Sequence, residues 1–204
     1  DYHGGSTGFA SASEIRRKID GGVLPKEDLP KETSETLEKL LLQGKAPAKI
    51  ENLERMLIGF FRNAEAEELK EYYAVTEGAE NRIIAAAKTA TSIEDFYEKV
   101  KTKRYTMATV RRMIIAPFLG IKKAEPTIPF LRVLAFNARG AEIMKNIKKS
   151  SDLPLITNFT PELAAVPEFA EQIALERRAT DIFSLATPVI GSAFSDYTEK
   201  ITMI

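Results

Sequence analysis

Apolar residues recurring at intervals of three and four, cut into short stretches by proline, glycine and hydroxyl caps, constrain this chain more than any other feature. Leu53, Met56, Leu57, Phe60 and Phe61 fall on one face of a helix over residues 51–62. That stripe is broad and apolar enough to face a core. Leu37, Leu40 and Leu41 mark a second helix, Ser34 to Leu42, which Gly44 ends, and a short one at about 12–20 stops at Gly21-Gly22. Helices are expected over 64–73 and 77–89, with Glu-rich starts that suit the helix dipole. Ser92 with Asp95 opens another that ends near Lys101. Thr106 and Thr109 head the next, where Val110, Met113 and Ile114 share a face until Pro117 breaks it. Successive short helices on tight turns predict a helical bundle.

From Pro126 the texture changes. Residues 128–136 are rich in β-branched and aromatic side chains, residues 152–157 form a second strand-like run, and an amphipathic helix of about Ala138 to Ile147 lies between them. A strand-helix-strand unit fits this order, although a buried helix over Leu131–Ala135 has the same apolar pattern. A helix from about Pro167 to Leu185 and a loosely patterned tail complete the chain. The expected fold class is therefore mainly α, with a small α/β unit. The expected segments are 1–22, a helical region 23–125, and 126–204 with the α/β unit and the last helix.

Composition removes several chemistries. No cysteine is present, which excludes disulfides, thiolate metal sites and a cysteine nucleophile. His3 is the sole histidine, so a histidine metal cluster is excluded and no Ser-His-Asp triad fits elsewhere. No apolar run approaches the roughly 20 residues of a membrane span, and no signal-like segment opens the chain, so a cytoplasmic location without membrane contact is expected. The formal charge is zero, yet residues 99–150 hold 13 Lys and Arg against Glu125 and Glu142 alone. That segment carries +11 and the remainder −11.

Such segregation points to a polyanion partner. Lys101, Lys103 and Arg104 lead into Tyr105, with Arg111 and Arg112 one helix turn beyond Thr106, and no acid occurs from Lys99 to Ala124. The cations suit phosphates and the tyrosine ring suits an unpaired base. A solvated basic face is the plainer alternative. Ser11 and Glu14 have capping-box spacing, while Ser11, Ser13 and Arg16 also form the hydroxyl-and-guanidinium set that a nucleotide phosphate needs at a helix mouth. Glu65, Glu67, Glu68 and Glu71 read as a solvated helix start, and Glu77 or Glu80 as ion-pair partners for Arg82 or a neighbouring helix. No catalytic residue and no metal site can be assigned from these residues.

In this order the segments resemble one family. Ser11-Ala12-Ser13-x-Ile15-Arg16 resembles the S-A-T-x-I-R closing motif of the tRNA(Met) cytidine acetate ligases, a branch of the HIGH-type nucleotidyltransferases. Residues 77–83 (EGAENRI), 101–113 (KTKRYTMATVRRM), 130–136 (FLRVLAF) and 179–185 (ATDIFSL) are similar to later family segments. Ser13 replaces the usual threonine, and Thr109 stands where the block often has arginine. The resemblance implies an enzyme that converts acetate and ATP to acetyl-adenylate, with Mg2+ accompanying ATP, and acetylates N4 of the wobble cytidine of elongator tRNA(Met). It implies that Ser11, Ser13 and Arg16 meet ATP, and that Lys101, Lys103, Arg104, Tyr105, Arg111 and Arg112 hold tRNA. It further implies a Rossmann-like domain preceding this part, with the phosphate loop and histidine motif, so that this chain alone is expected to be inactive. A non-catalytic helical interaction module and an adenylyltransferase for a small metabolite are the alternative expectations.

Overall fold

The computed structural model describes residues 10–76, 78–123 and 128–203. Two contact-dense units emerge, one of residues 1–52 with 183–191 and the other of 53–182 with 192–204. His3 and Glu77 lie outside the described residues.

In the first unit, helix α1 (Ala12–Asp20) is opened by Ser11, whose hydroxyl accepts the Glu14 N–H at 3.2 Å, and closed by Gly21. Lys18 on α1 reaches Asp28 at 2.6 Å, and this hydrogen bond raises the lysine's pKa. Helix α2 (Lys31–Leu42) starts three residues earlier than expected, behind Pro30. Ser34 therefore lies inside the helix, where it is buried. Gly44 follows at φ +66, where an added Cβ would lie 2.4 Å from Val189 Cγ2.

The second unit holds the main core. Helices α3 (Glu54–Arg62), α4 (Ala66–Leu69), α5 (Ala79–Thr89), α6 (Ile93–Val100) and α7 (Met107–Leu119) pack on one another. Leu57, Phe61, Ile83, Ala87, Phe96, Val100, Val110 and Met113 are fully enclosed between them. Each large side chain of this set removes enough apolar surface from water to contribute about 1.5–3 kcal/mol. The acidic stretch yields only the single turn α4 in place of the helix expected over 64–73. Leu69 is buried there, but Tyr72 leaves the helix to bridge Lys122 and Ala74 takes φ +67. Pro117 does not stop α7, which continues to Leu119 and ends at left-handed Gly120. A proline so near the C-terminus forfeits a single ladder bond, and the last turn tolerates that loss.

The strand-helix-strand expectation holds with a refinement. Strand β1 (Leu131–Arg132) pairs in parallel with β3 (Leu155–Ile156), and helix α8 (Ala138–Ser150) makes the connection. The apolar run before α8 is two strands, since β2 (Ala135–Phe136) pairs instead with β4 (Thr202–Met203) in the tail. Helix α9 (Pro161–Ala164) is capped by Thr160, and α10 (Pro167–Leu185) has the bounds read from the sequence. Helix α11 (Ser195–Thr198) precedes β4. Phe130, Ile156, Phe159 and Ile173 form the core of this part. Arg132 ties it together: its guanidinium lies over Phe159 at 4.1 Å and donates to Glu176 on α10 and Asp196 on α11. Burial acts to lower the Arg132 pKa, and the hydrogen bonds to Asp196 and Glu176 outweigh it and leave it raised.

Candidate functional site

The basic residues gather at the junction of α6 and α7, and neutral groups set its shape. Ser92 caps α6 by accepting the Asp95 N–H at 3.0 Å. At the other end Arg82, from α5, donates Nε to the Val100 carbonyl at 2.7 Å and Nη2 to the Lys101 carbonyl at 2.9 Å. A cation at orphan helix carbonyls is electrostatically favourable. The Thr102 hydroxyl then accepts the amides of Arg104 and Tyr105 at 3.1 and 3.2 Å, closing a tight turn. Tyr105 shares a 3.0 Å hydrogen bond with Thr76, and Thr106 caps α7 through the Thr109 amide at 3.3 Å. Thr109, which replaces a frequent arginine of the resembling motif, thus contributes to the cap.

The cations divide into two groups. Lys99 is held by Asp95 at 2.6 Å, and the lysine hydrogen bond, followed by the Thr91 amide, keeps the aspartate below its usual pKa. Lys101 meets Glu98 at 3.3 Å. Lys103, Arg104, Arg111 and Arg112 are exposed and have no acidic partner among the described residues. Arg104 lies over the Tyr105 ring at 5.7 Å and Arg111 over Tyr97 at 5.9 Å. Four cations around the open N-terminus of α7 can engage successive phosphates. Exposed Arg139, Lys145, Lys148 and Lys149 add positive charge along α8 in the same unit.

Arg82 departs from the expected carboxylate pairing, since its donors are taken by the α6 carbonyls. Glu80 is buried at the first turn of α5, and its Oε2 has no hydrogen-bond partner among the described residues. Exposed Glu67 pairs with Lys70 at 2.6 Å, as suits a solvated helix start. Among the described residues no group of three or more metal-ligating side chains comes together.

Ser11, Ser13 and Arg16 belong to the first unit. Ser11 performs the capping role read from its spacing, while Ser13 and Arg16 are exposed one turn apart. Glu14 holds Ser11 and is balanced by Arg17 and Lys18, each at 4.0 Å. Arg16 has no acidic partner among the described residues. The amides of Ala12 and Ser13 lie in the first turn, where helix donors have no intrahelical acceptor. The two candidate sites are thus in separate units, each assembled from residues near in sequence.

The HIGH Nucleotidyl Transferase family model matches residues 1–196, and the chain belongs to that family. Within it, the chain is similar to tRNA(Met) cytidine acetate ligases. It is 35% identical over 187 residues to that of Thermoanaerobacter sp. (strain X514), covering 87% of this chain and 45% of the relative. With that of Thermosipho melanesiensis it is 31% identical over 156 residues, covering 74% of this chain and 37% of the relative. Crystal structures of Thermotoga maritima TmcAL match as well. The form bound with alpha-thio ATP superposes with a TM-score of 0.86 at 27% identity, over 96% of this chain and 52% of that one. The apo form gives 0.89 at 26% identity, over 100% and 53%. The chain spans about half the length of these solved relatives, and less of the curated ones. No helix among the described residues is long and apolar enough to cross a membrane.

Proposed function

We propose that this chain is the tRNA-gripping part of an ATP-dependent ligase that activates acetate as acetyl-adenylate and acetylates N4 of the wobble cytidine of elongator tRNA(Met). The names of its relatives support the reaction. The observation that carries the tRNA role is the α6–α7 junction, with four cations that have no acidic partner among the described residues around a turn held by Thr102, Thr106 and Arg82. Acyl transfer to an exocyclic amine needs an activated acyl group and a base fixed beside it. The adenylate supplies the first, and this unit's grip on the tRNA serves the second. Lys101, Lys103, Arg104, Arg111 and Arg112 would hold phosphates, and Tyr105 would border the strand.

Ser11, Ser13 and Arg16 would contribute to the ATP site of that ligase. The ATP analogue bound to the Thermotoga relative supports ATP as the nucleotide. Mg2+ would arrive with ATP, coordinated by its phosphates. On this reading the working compartment is the cytoplasm, where tRNA is modified.

A filter-binding titration with elongator tRNA(Met) at several salt concentrations tests the grip. Replacing Lys103, Arg104 and Arg112 together by alanine should weaken binding and reduce the salt slope by about three, roughly one per lost phosphate contact. Binding by the wild-type chain that matches the triple variant at every salt concentration would refute the assignment.

A further inference from the structure

Outside the basic junction, the second unit contains an open recess of about 640 Å³. Its size is that of small-molecule sites, roughly 300–1,000 Å³. The rings of Phe159, Phe194 and Tyr197 line it together with Ala164, Ala165 and Arg177. These residues come from the segment after β3, from α9, from α10 and from the start of α11.

Three observations mark a binding site. Phe194 sits in the left-handed region at φ +65, a conformation that a bulky residue rarely adopts. Asp181 holds it there by accepting the Phe194 N–H at 2.7 Å, and the ring stays 54% exposed. Strain that sustains an exposed aromatic ring at a recess is placed where a ligand would use it. Secondly, the rings are splayed and not stacked on each other. Phe159 and Phe194 both lie 6.5 Å from Tyr197, with planes at 59° and 50°. Thirdly, Nε of Arg177 is buried without a hydrogen-bond partner among the described residues, although the guanidinium lies over Phe194 at 5.5 Å.

A purely apolar ligand would leave the Arg177 guanidinium at the recess without an acceptor, and an inorganic phosphate would leave the rings without a partner. A flat heterocycle with an acceptor on its edge satisfies both. We propose that this recess receives one unpaired nucleobase of a bound RNA, its face on the Phe194 ring, Tyr197 at its side and an edge acceptor turned to the Arg177 guanidinium. The inference rests on the RNA-binding reading above. Stacking tolerates any base, so the recess serves to hold an unstacked nucleotide in place more than to read its identity.

The test uses the full chain and a 5′-fluorescein-labelled RNA hexanucleotide of unpaired pyrimidines, read by anisotropy over several salt concentrations. Phe194→Asn removes the ring while keeping a residue that accepts the left-handed conformation. Arg177→Met keeps the aliphatic stem and removes the donor, and circular dichroism checks that both variants fold. Phe194→Asn should weaken hexanucleotide binding about tenfold, the scale of one base-on-ring contact, with an unchanged salt slope. Arg177→Met should act in the same direction, and an abasic strand of equal length should bind wild type and both variants alike. Equal affinity of wild type and both variants for the intact strand would overturn the inference, as would the same loss on the abasic strand. Free cytidine monophosphate displacing the hexanucleotide at equal concentration would overturn it in favour of a mononucleotide site. If the cation triple variant flattens the salt slope while the Phe194 and Arg177 variants change nothing, the recess proposal alone fails. Absence of any hexanucleotide or tRNA binding by wild type would remove both readings.

Discussion

Removing the Arg82 clamp should loosen the basic turn selectively. In Arg82→Met the aliphatic stem remains, but the hydrogen bonds to the Val100 and Lys101 carbonyls disappear. A charged donor on a protected carbonyl contributes about 1.5–3 kcal/mol, but Arg82 is exposed and water replaces part of each bond. About 1 kcal/mol per bond remains, or about 2 kcal/mol together, and that corresponds to a roughly 30-fold shift in local opening. Native-state hydrogen exchange reads this directly. The Lys101 amide, bonded to the Tyr97 carbonyl at 2.9 Å, should exchange about 30-fold faster in the variant. The Ser151 amide at the end of α8, bonded to the Ile147 carbonyl at 2.8 Å, should not change. Acceleration of less than about threefold at Lys101 would refute the claim that Arg82 holds this end of α6.

Three further outcomes are expected. Arg132→Met leaves Glu176 and Asp196 without their shared cation and should cost about 2–4 kcal/mol in urea unfolding, the lower end reflecting partial exposure; a loss under about 0.5 kcal/mol would show that the triad is not a tie. Gly120→Ala puts a Cβ 1.9 Å from Arg178 Nη1 at φ +77, displacing the bond from that nitrogen to the Leu119 carbonyl, and should destabilise by about 1–3 kcal/mol where a neutral substitution would not. Asp95→Asn removes a carboxylate whose pKa is held down by Lys99, so the stabilisation it supplies is full above the ordinary aspartate value and is lost as pH falls through the depressed one. Urea midpoints of wild type and this variant should differ at pH ~6 and converge by pH ~2, and a constant gap would contradict the assignment.

Local chemistry was legible in the sequence wherever neighbours along the chain settle it. Ser11, Ser92 and Thr106 cap helices as their spacing indicates, and α10 has the limits that its pattern marks. Partners distant in sequence were not legible. Residues 128–136 read as a single strand-like run because nothing nearby shows that β2 pairs with Thr202–Met203. Helical spacing over 64–73 was overridden by the Tyr72–Lys122 bridge and left-handed Ala74. Arg82 invited pairing with a nearby glutamate, but folding brings it to helix carbonyls 18 and 19 residues away. The basic residues at the α6–α7 junction are close to one another in sequence, whereas the recess unites residues from 159 to 197 within a tail that lacks a clear period.

At the α6–α7 junction, form and charge are handled by different residues. Thr102, Thr106, Thr76 and the Tyr105 hydroxyl fix the backbone path, while Lys103, Arg104, Arg111 and Arg112 make no ion pair among the described residues. On the proposed RNA-binding reading, substitutions would tune the strength of a polyanion grip by adding or deleting side-chain charges without renegotiating the loop. A surface with that division would drift between weak and strong binding one substitution at a time, each step leaving the scaffold intact for the next.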